Sequence, residues 1–284
     1  MRIARLKIAI LAALASLAVT AAAHAADMPL PPPAAEPCCS SWYLRGFVGV
    51  GMTNSDQMEF IRNPANPATD FRVDYSSIGD ANFFGGAVGY NFNKWLRFDL
   101  SGEYRAKTRV DAYGHYTTAC TDANGVTEAT CVDTYQGYVK SWVVLANAYV
   151  DLGTWWCLTP FVGAGIGGAY NQLVSFTDLN VTNGGFGFGH NSAEWHMAYA
   201  AYAGIAYNVN QNFKVDFTYR YLNYGSITDT VSCGGCGPSD SYKFGNLYSH
   251  DFMVGLRWTC CDVDQPRYVS QPSYMPPPPL HSRG

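Results

Sequence analysis

The sequence predicts an all-β chain, an eight-stranded antiparallel transmembrane β-barrel with an up-and-down meander. Three observations carry that expectation. The stretch Leu96 to Arg109 alternates along its whole length, with Leu96, Phe98, Leu100, Tyr104 and Ala106 on one parity and Arg97, Asp99, Glu103, Arg105, Lys107 and Arg109 on the other. A period of two is the signature of a strand with an apolar and a charged face. Connections between such segments alternate short and long along the chain, and the tryptophans fall at segment ends and not in their middles.

The eight segments are placed at Trp42 to Thr53, Ala81 to Tyr90, Trp95 to Tyr113, Gln136 to Leu152, Pro160 to Tyr170, Ser192 to Tyr207, Phe213 to Tyr224 and Asn246 to Trp258. The short connections are Asn91 to Lys94, Gly153 to Thr159 and Asn208 to Asn212, while the long ones are Asn54 to Asp80, Gly114 to Tyr135, Asn171 to Asn191 and Gly225 to Gly245. In an antiparallel meander all short turns then lie at one end and all long loops at the other, as in membrane barrels. A soluble sandwich has no cause to sort its loops in this way. Trp42, Trp95, Trp155, Trp156 and Trp258 are expected at the short-turn interface, and Trp142 and Trp195 near the long-loop interface, because a bilayer draws tryptophan to its two surfaces.

A charge facing lipid at mid-bilayer costs about 2–4 kcal/mol for Arg or Lys, so the charged parity must face the lumen. The expected lumen network is Arg45, Arg97, Asp99, Glu103, Arg105, Lys107, Glu194, Lys214, Asp216, Arg220, Asp251 and Arg257, with Arg109 and His196 on the same parity. Eight strands enclose a space that side chains fill, so these groups should pair across it, with small residues such as Gly49, Gly51, Gly163, Gly165 and Gly167 making room.

Residues 1–25 read as a secretory signal peptide: Arg2, Arg5 and Lys7 precede an apolar run from Ile8 to Val19 and the small-x-small site Ala23-His24-Ala25. Residues 26–41 and 259–284 read as Pro-rich periplasmic arms flanking the barrel at 42–258, with Pro276 to Pro279 consecutive in the second. Charged residues are 14% and aromatics 15%, a balance suited to contact with an apolar surface. The net charge of −4 lacks the basic excess that nucleic-acid binding needs.

Several motifs have chemical readings, each set against a plainer one. Gly163-Ala-Gly165-Ile-Gly167-Gly168 matches a dinucleotide fingerprint, yet it lies within a strand and no helix comes after it, so close packing explains it. Ser249, His250 and Asp251 carry a nucleophile, a base and a carboxylate, but a Ser and a His adjacent in a strand point to opposite faces. No catalytic residue, cofactor or metal site is therefore assigned. Cysteines in an exported chain favour disulfides: Cys120 with Cys131 inside one long loop, and Cys233 with Cys236 inside another. Cys233 and Cys236 would otherwise be half of a metal site, supplying two of the four ligands that structural zinc takes. Cys38 and Cys39 precede the first strand, and Cys260 and Cys261 come after the last, so closure would bring them within bridging range. Bonding within each vicinal pair, or no bond, is the alternative, and Cys157 is left over at the same end.

The segments Trp42-Tyr-Leu-Arg-Gly, Gly85-Gly-Ala-Val-Gly-Tyr, Phe98-Asp-Leu-Ser-Gly-Glu-Tyr, Pro160-Phe-Val-Gly-Ala-Gly-Ile-Gly, Val215-Asp-Phe-Thr-Tyr-Arg-Tyr and His250-Asp-Phe-Met-Val-Gly-Leu-Arg-Trp resemble the eight-stranded outer-membrane β-barrel family. Small surface antigens of alphaproteobacteria, the OmpA transmembrane domain and the opacity adhesins are its nearest members in pattern. The resemblance implies an outer-membrane protein of a Gram-negative bacterium, in contact with outer-membrane lipid and lipopolysaccharide and generally without catalysis. It implies envelope-stabilising or surface-binding roles; the leading expectation is an envelope-stabilising role, with binding of a surface ligand through long external loops as the alternative and a narrow pore third. Members usually end on the aromatic residue of their last strand, whereas here the chain continues past Trp258 to Gly284. That Pro-rich tail does not match the folded peptidoglycan-binding domain of OmpA, so cell-wall recognition is not implied.

Overall fold

The computed structural model describes residues 41–259 apart from 62–70, 117–118, 123, 129, 211 and 233–239. The expected signal peptide, both arms apart from Ser41 and Thr259, the four vicinal cysteines and Cys233 and Cys236 lie outside the described residues. In chain order the strands are β1 (Trp42–Asn54), β2 (Glu59–Ile61), β3 (Phe71–Ile78), β4 (Ala81–Asn91), β5 (Leu96–Tyr116), β6 (Cys120–Thr121), β7 (Thr127–Glu128) and β8 (Cys131–Asp151). They continue as β9 (Leu158–Asn180), β10 (Phe186–Gly189), β11 (Ala193–Asn208), β12 (Phe213–Asn223), β13 (Ile227–Ser232), β14 (Asp240–Phe244) and β15 (Tyr248–Thr259).

Eight of these strands form a closed ring in the order β1-β4-β5-β8-β9-β11-β12-β15, every neighbour antiparallel. Closure runs through β1 and β15, which pair from Tyr43↔Thr259 to Asn54↔Tyr248. A closed ring has no free edge, which is the condition for a sheet to sit in hydrocarbon. Faces obey the alternation: in β1, Tyr43, Arg45 and Phe47 are buried while Leu44, Val48 and Val50 are exposed. Exposed aliphatic and aromatic side chains such as Phe84, Leu100, Val144, Ile166 and Leu256 continue that outer apolar band around the ring.

The turns at one end are tight and share a device. Asn93 Oδ1 accepts from the backbone N–H groups of Trp95 and Leu96, and Asn210 Oδ1 accepts from those of Asn212 and Phe213. Such Asx turns hold a hairpin with few residues. At the other end β5, β8 and β9 run to 21, 21 and 23 residues, about twice the 9–11 that cross a bilayer. Their excess projects beyond the membrane, where β10, β13, β14 and β2 continue the sheet from β9 and β3 adds to β5. Among the described residues, the expected long loops are therefore largely strands.

This outer tier has its own core. Phe71, Tyr135, Phe176, Tyr242 and Phe244 are buried in it, and Tyr135 lies 4.6 Å from Tyr242 and 5.9 Å, stacked, from Phe176. Phe60 of β2 meets Phe71 of β3 at 5.4 Å, bridging the two ends of the tier's sheet. Cys120 and Cys131 are joined in a disulfide, which ties the small β6–β7 hairpin to the start of β8.

One face assignment changes. The register of β5 on β8 shifts between Arg105 and Thr108, so Ala106 and Lys107 together oppose Lys140. A bulge of this kind adds a residue and reverses the facing of the strand beyond it. Lys107 and Arg109, expected in the lumen, lie on the outer wall, and Thr108 and Val110 turn inward in their place.

Candidate functional site

The lumen is crossed by ion pairs at several depths. At the level nearest the outer tier, Arg220 of β12 donates from Nη1 to Glu103 Oε2 at 2.7 Å and from Nη2 to Glu103 Oε1 at 2.8 Å. Its Nε also reaches Asp251 Oδ2 at 2.9 Å. Arg105 forks onto the two oxygens of Asp251 at 2.9 Å each, and donates to Glu103 at 3.3 Å and to Ser249 Oγ at 2.8 Å. Two guanidiniums thus share two carboxylates drawn from β5 and β15, which β1 and β4 separate in the ring. The ring of Phe83 lies 4.9 Å from Arg105 and 5.1 Å from Arg220, so the cluster is closed on one side by an aromatic face.

Deeper, Arg45 of β1 pairs with Asp216 of β12 and donates to Thr218. Tyr43 donates to Asp99 at 2.9 Å, and Asn147 donates to the other Asp99 oxygen at 2.7 Å while accepting from Tyr202. At the short-turn end Arg97 bonds Asp151 at 3.1 Å and lies over the rings of Tyr149 and Phe161 at 4.0 and 4.7 Å. Arg257 is buried 5.6 Å from the ring of Tyr43. Lys214 is half-buried on the inner parity at the same end. Glu194 is half-buried at the outer rim and bonds His196, apart from the arginine cluster.

Glycines admit the large groups. A Cβ on Gly51 would overlap Asp251 and Arg105, and one on Gly255 would meet Asp216 and Arg45. Gly163 and Gly165 face Tyr149 and Asn147, which explains that glycine motif by packing. Tyr43, Ser101, Asn147, Asp151 and Ser249 complete the network without having been assigned to it from sequence. A polar Asn147 on the inner parity of an otherwise apolar run was the available signal. Ser249 is buried against Asp251, whereas His250 points outward with Nδ1 2.7 Å from Tyr219 OH. The two cannot act as nucleophile and base.

The seven tryptophans are all exposed, Trp42, Trp142, Trp195 and Trp258 on the outer wall and Trp95, Trp155 and Trp156 in the short turns. Near the outer rim Tyr104 meets Trp142 at 4.8 Å and Tyr170 meets Trp195 at 5.1 Å, with Trp142 opposite Tyr170 in the ladder. At the short-turn end Trp42 meets Tyr90 at 5.3 Å, and Phe213 pairs with Trp258 across β12 and β15. Two aromatic girdles bound an apolar band, the arrangement that bilayer interfaces favour.

Above the outer girdle the tier carries exposed aromatics on paired strands. Tyr75 and Tyr113 stack at 5.6 Å and are about half exposed, and Phe186 meets Phe188 edge-on at 4.6 Å. Inside the tier, burial raises the phenol pKa values of Tyr135 and Tyr242 well above their ordinary range, so both remain hydrogen-bonding phenols, Tyr135 donating to Tyr242 at 2.9 Å.

A closed ring with an apolar band, two girdles and a charged interior defines an integral membrane β-barrel. Residues 9–259 match the family model described as the outer membrane protein beta-barrel domain, and the chain belongs to that family. It is an outer-membrane protein of the Gram-negative type. A protein of Brucella abortus (strain 2308) with no assigned role is 30% identical over 84% of this chain and 92% of its own length. Outer membrane protein PagN of Salmonella typhimurium is 26% identical over 62% of this chain and 72% of its own. A Rickettsia prowazekii protein named as a proposed adhesin is 24% identical over 77% and 87% of the two chains. Among solved structures, OprG of Pseudomonas aeruginosa is 10% identical with a TM-score of 0.41, covering 78% of this chain and 97% of that one.

Proposed function

We propose that the protein is a non-enzymatic surface-binding module, in which the barrel anchors an ordered outer tier that makes adhesive contacts. The observation that carries this reading is the pair of exposed aromatic clusters, Tyr75 with Tyr113 and Phe186 with Phe188, held on hydrogen-bonded strands above the membrane. Rigid exposed aromatics bury large area on contact at small entropic cost, which is why they dominate binding hot spots. Anchoring alone needs neither a tier with a core nor exposed aromatics at its surface. The relatives named for adhesion support the same reading.

An envelope-stabilising role, the first expectation from sequence, is the second reading, and it draws on the paired lumen network that stiffens the barrel. That network also weighs against transport, because Arg105, Arg220, Glu103 and Asp251 meet across the lumen.

The test is attachment of bacteria displaying the protein to epithelial cells and to immobilised matrix proteins. Replacing Tyr75, Tyr113, Phe186 and Phe188 by Ser is expected to reduce attachment by about tenfold or more, since hot-spot truncations cost about 2 kcal/mol or more. Surface level and heat-dependent gel mobility should stay as in the wild type. Attachment equal in the wild type, the variant and cells lacking the protein would leave the envelope role as the better reading.

A further inference from the structure

The bulge in β5 places two cations where a third already stands. Lys107 and Arg109 turn to the outer wall, Ala106 and Lys107 oppose Lys140 of β8, and Arg109 pairs in the ladder with Tyr138. Lys107 Nζ lies 5.9 Å from the centre of the Tyr138 ring. Arg109 is bonded to Asp111 at 2.8 Å, both groups exposed. Among the described residues, no carboxylate pairs with Lys107 or Lys140.

The height of this patch decides what it can meet. Lys140 is two residues beyond Trp142, and Arg109 is four ladder positions beyond Tyr104, measured from the outer girdle. With a rise of about 3.4 Å per residue and a tilt near 40°, the cations stand about 5 to 10 Å above the girdle. Aromatic girdles mark the level where acyl chains give way to headgroups. Lysines facing acyl chains would be costly, and lysines well clear of the membrane would meet only water. At this level the groups that face the barrel wall are the headgroups of outer-leaflet lipids.

We propose that Lys107 and Lys140, with Arg109 beside them, form a site on the barrel's outer wall for the phosphate groups of a phosphorylated outer-leaflet glycolipid. Two ammonium groups without carboxylate partners, on adjacent strands and at phosphate height, provide charge-assisted donors for a phosphate between them. The Tyr138 ring, level with Arg109 in the ladder, flanks Lys107 on its outer side at 5.9 Å, and Asp111 fixes the Arg109 guanidinium at the patch's upper edge. The site is independent of the adhesive reading, since it faces the protein's own membrane.

The experiment measures binding of bisphosphorylated lipid A to the purified barrel in phosphate-free nanodiscs, by native mass spectrometry. Each lysine near an anionic lipid surface contributes about 1 kcal/mol, or about fivefold, so Lys107→Ala/Lys140→Ala is expected to bind roughly twenty-five-fold more weakly. Lys107→Arg/Lys140→Arg should retain wild-type binding, and Arg72→Ala/Lys243→Ala, which removes tier cations elsewhere, should leave it unchanged. Heat-dependent mobility reports folding of each variant, and Lys140→Gln alone, with an expected loss of about fivefold, covers the case in which the double variant does not fold. Unchanged binding in the double variant would overturn the site. Equal loss in Arg72→Ala/Lys243→Ala would reduce it to a general charge effect, and equal affinity for dephosphorylated lipid A would show that phosphate is not read. Full competition by inorganic phosphate would identify a free-phosphate site instead, against the proposal.

Discussion

Glu103→Ala is expected to lower the unfolding free energy by about 3–5 kcal/mol, the usual cost of breaking a buried ion pair from one side. The side chains of Glu103, Arg105, Arg220 and Asp251 are each almost fully buried, away from the screening of bulk solvent. Two guanidiniums would then share Asp251 alone, leaving one buried positive charge uncompensated. The double variant Glu103→Leu/Arg220→Leu is expected to cost less than Glu103→Ala, because Arg105 and Asp251 remain as a complete forked pair. Asp216→Ala should resemble Glu103→Ala, since it strands Arg45. Urea titration of the refolded barrel in lipid, monitored by tryptophan fluorescence, gives the three midpoints. Small and equal shifts in all of them would mean that the lumen charges are solvated.

The second large effect concerns register. Deleting Lys107 removes the extra residue of the bulge, so Ala106 opposes Lys140 one-to-one and Thr108 and Val110 still face inward. The barrel is expected to assemble. Deleting Leu100 instead, where the ladder is regular, reverses every face on one side of the cut, and either Arg97 and Asp99 or Glu103 and Arg105 must then face lipid. A single arginine at the bilayer midplane costs about 2–4 kcal/mol, and its lost partners add to that. Recovery of the Leu100 deletion in the outer-membrane fraction should fall to near zero, while the Lys107 deletion is recovered as heat-modifiable protein. Equal recovery of the two would show that strand phase does not determine assembly.

Strand number, faces and girdles were legible because a barrel crossing a bilayer obeys one rule at every position: outward means apolar. That rule leaves a period-two trace wherever the ladder is regular, as in β1, β12 and β15. The outer tier escaped because its strands break phase. Ser175 takes a φ of 53° where two residues of β9 oppose one of β8, the β3–β5 register slips between Val73 and Tyr75, and β5 slips between Arg105 and Thr108. Once a bulge enters, alternation counted from the membrane side gives the wrong face, which is how Lys107 and Arg109 came to be expected inside. Charge partners were hidden for another reason. Arg45 and Asp216 are 171 residues apart, and which lumen groups share a depth depends on the stagger of strands around the ring. Sequence alternation records facing and carries no record of stagger.

The lipid-facing band that ends where β5 bulges is tested most directly by a nitroxide scan along β5 in reconstituted bilayers. Labels at Phe98, Leu100, Gly102 and Tyr104 should be accessible to oxygen and shielded from a water-soluble nickel reagent, and labels at Asp99, Ser101 and Glu103 shielded from both. The phase should slip at Ala106 and Lys107, after which the odd positions Lys107, Arg109 and Tyr113 become accessible to the nickel reagent. An unbroken even-numbered phase through Thr108, or nickel access at Phe98 and Leu100, would contradict it.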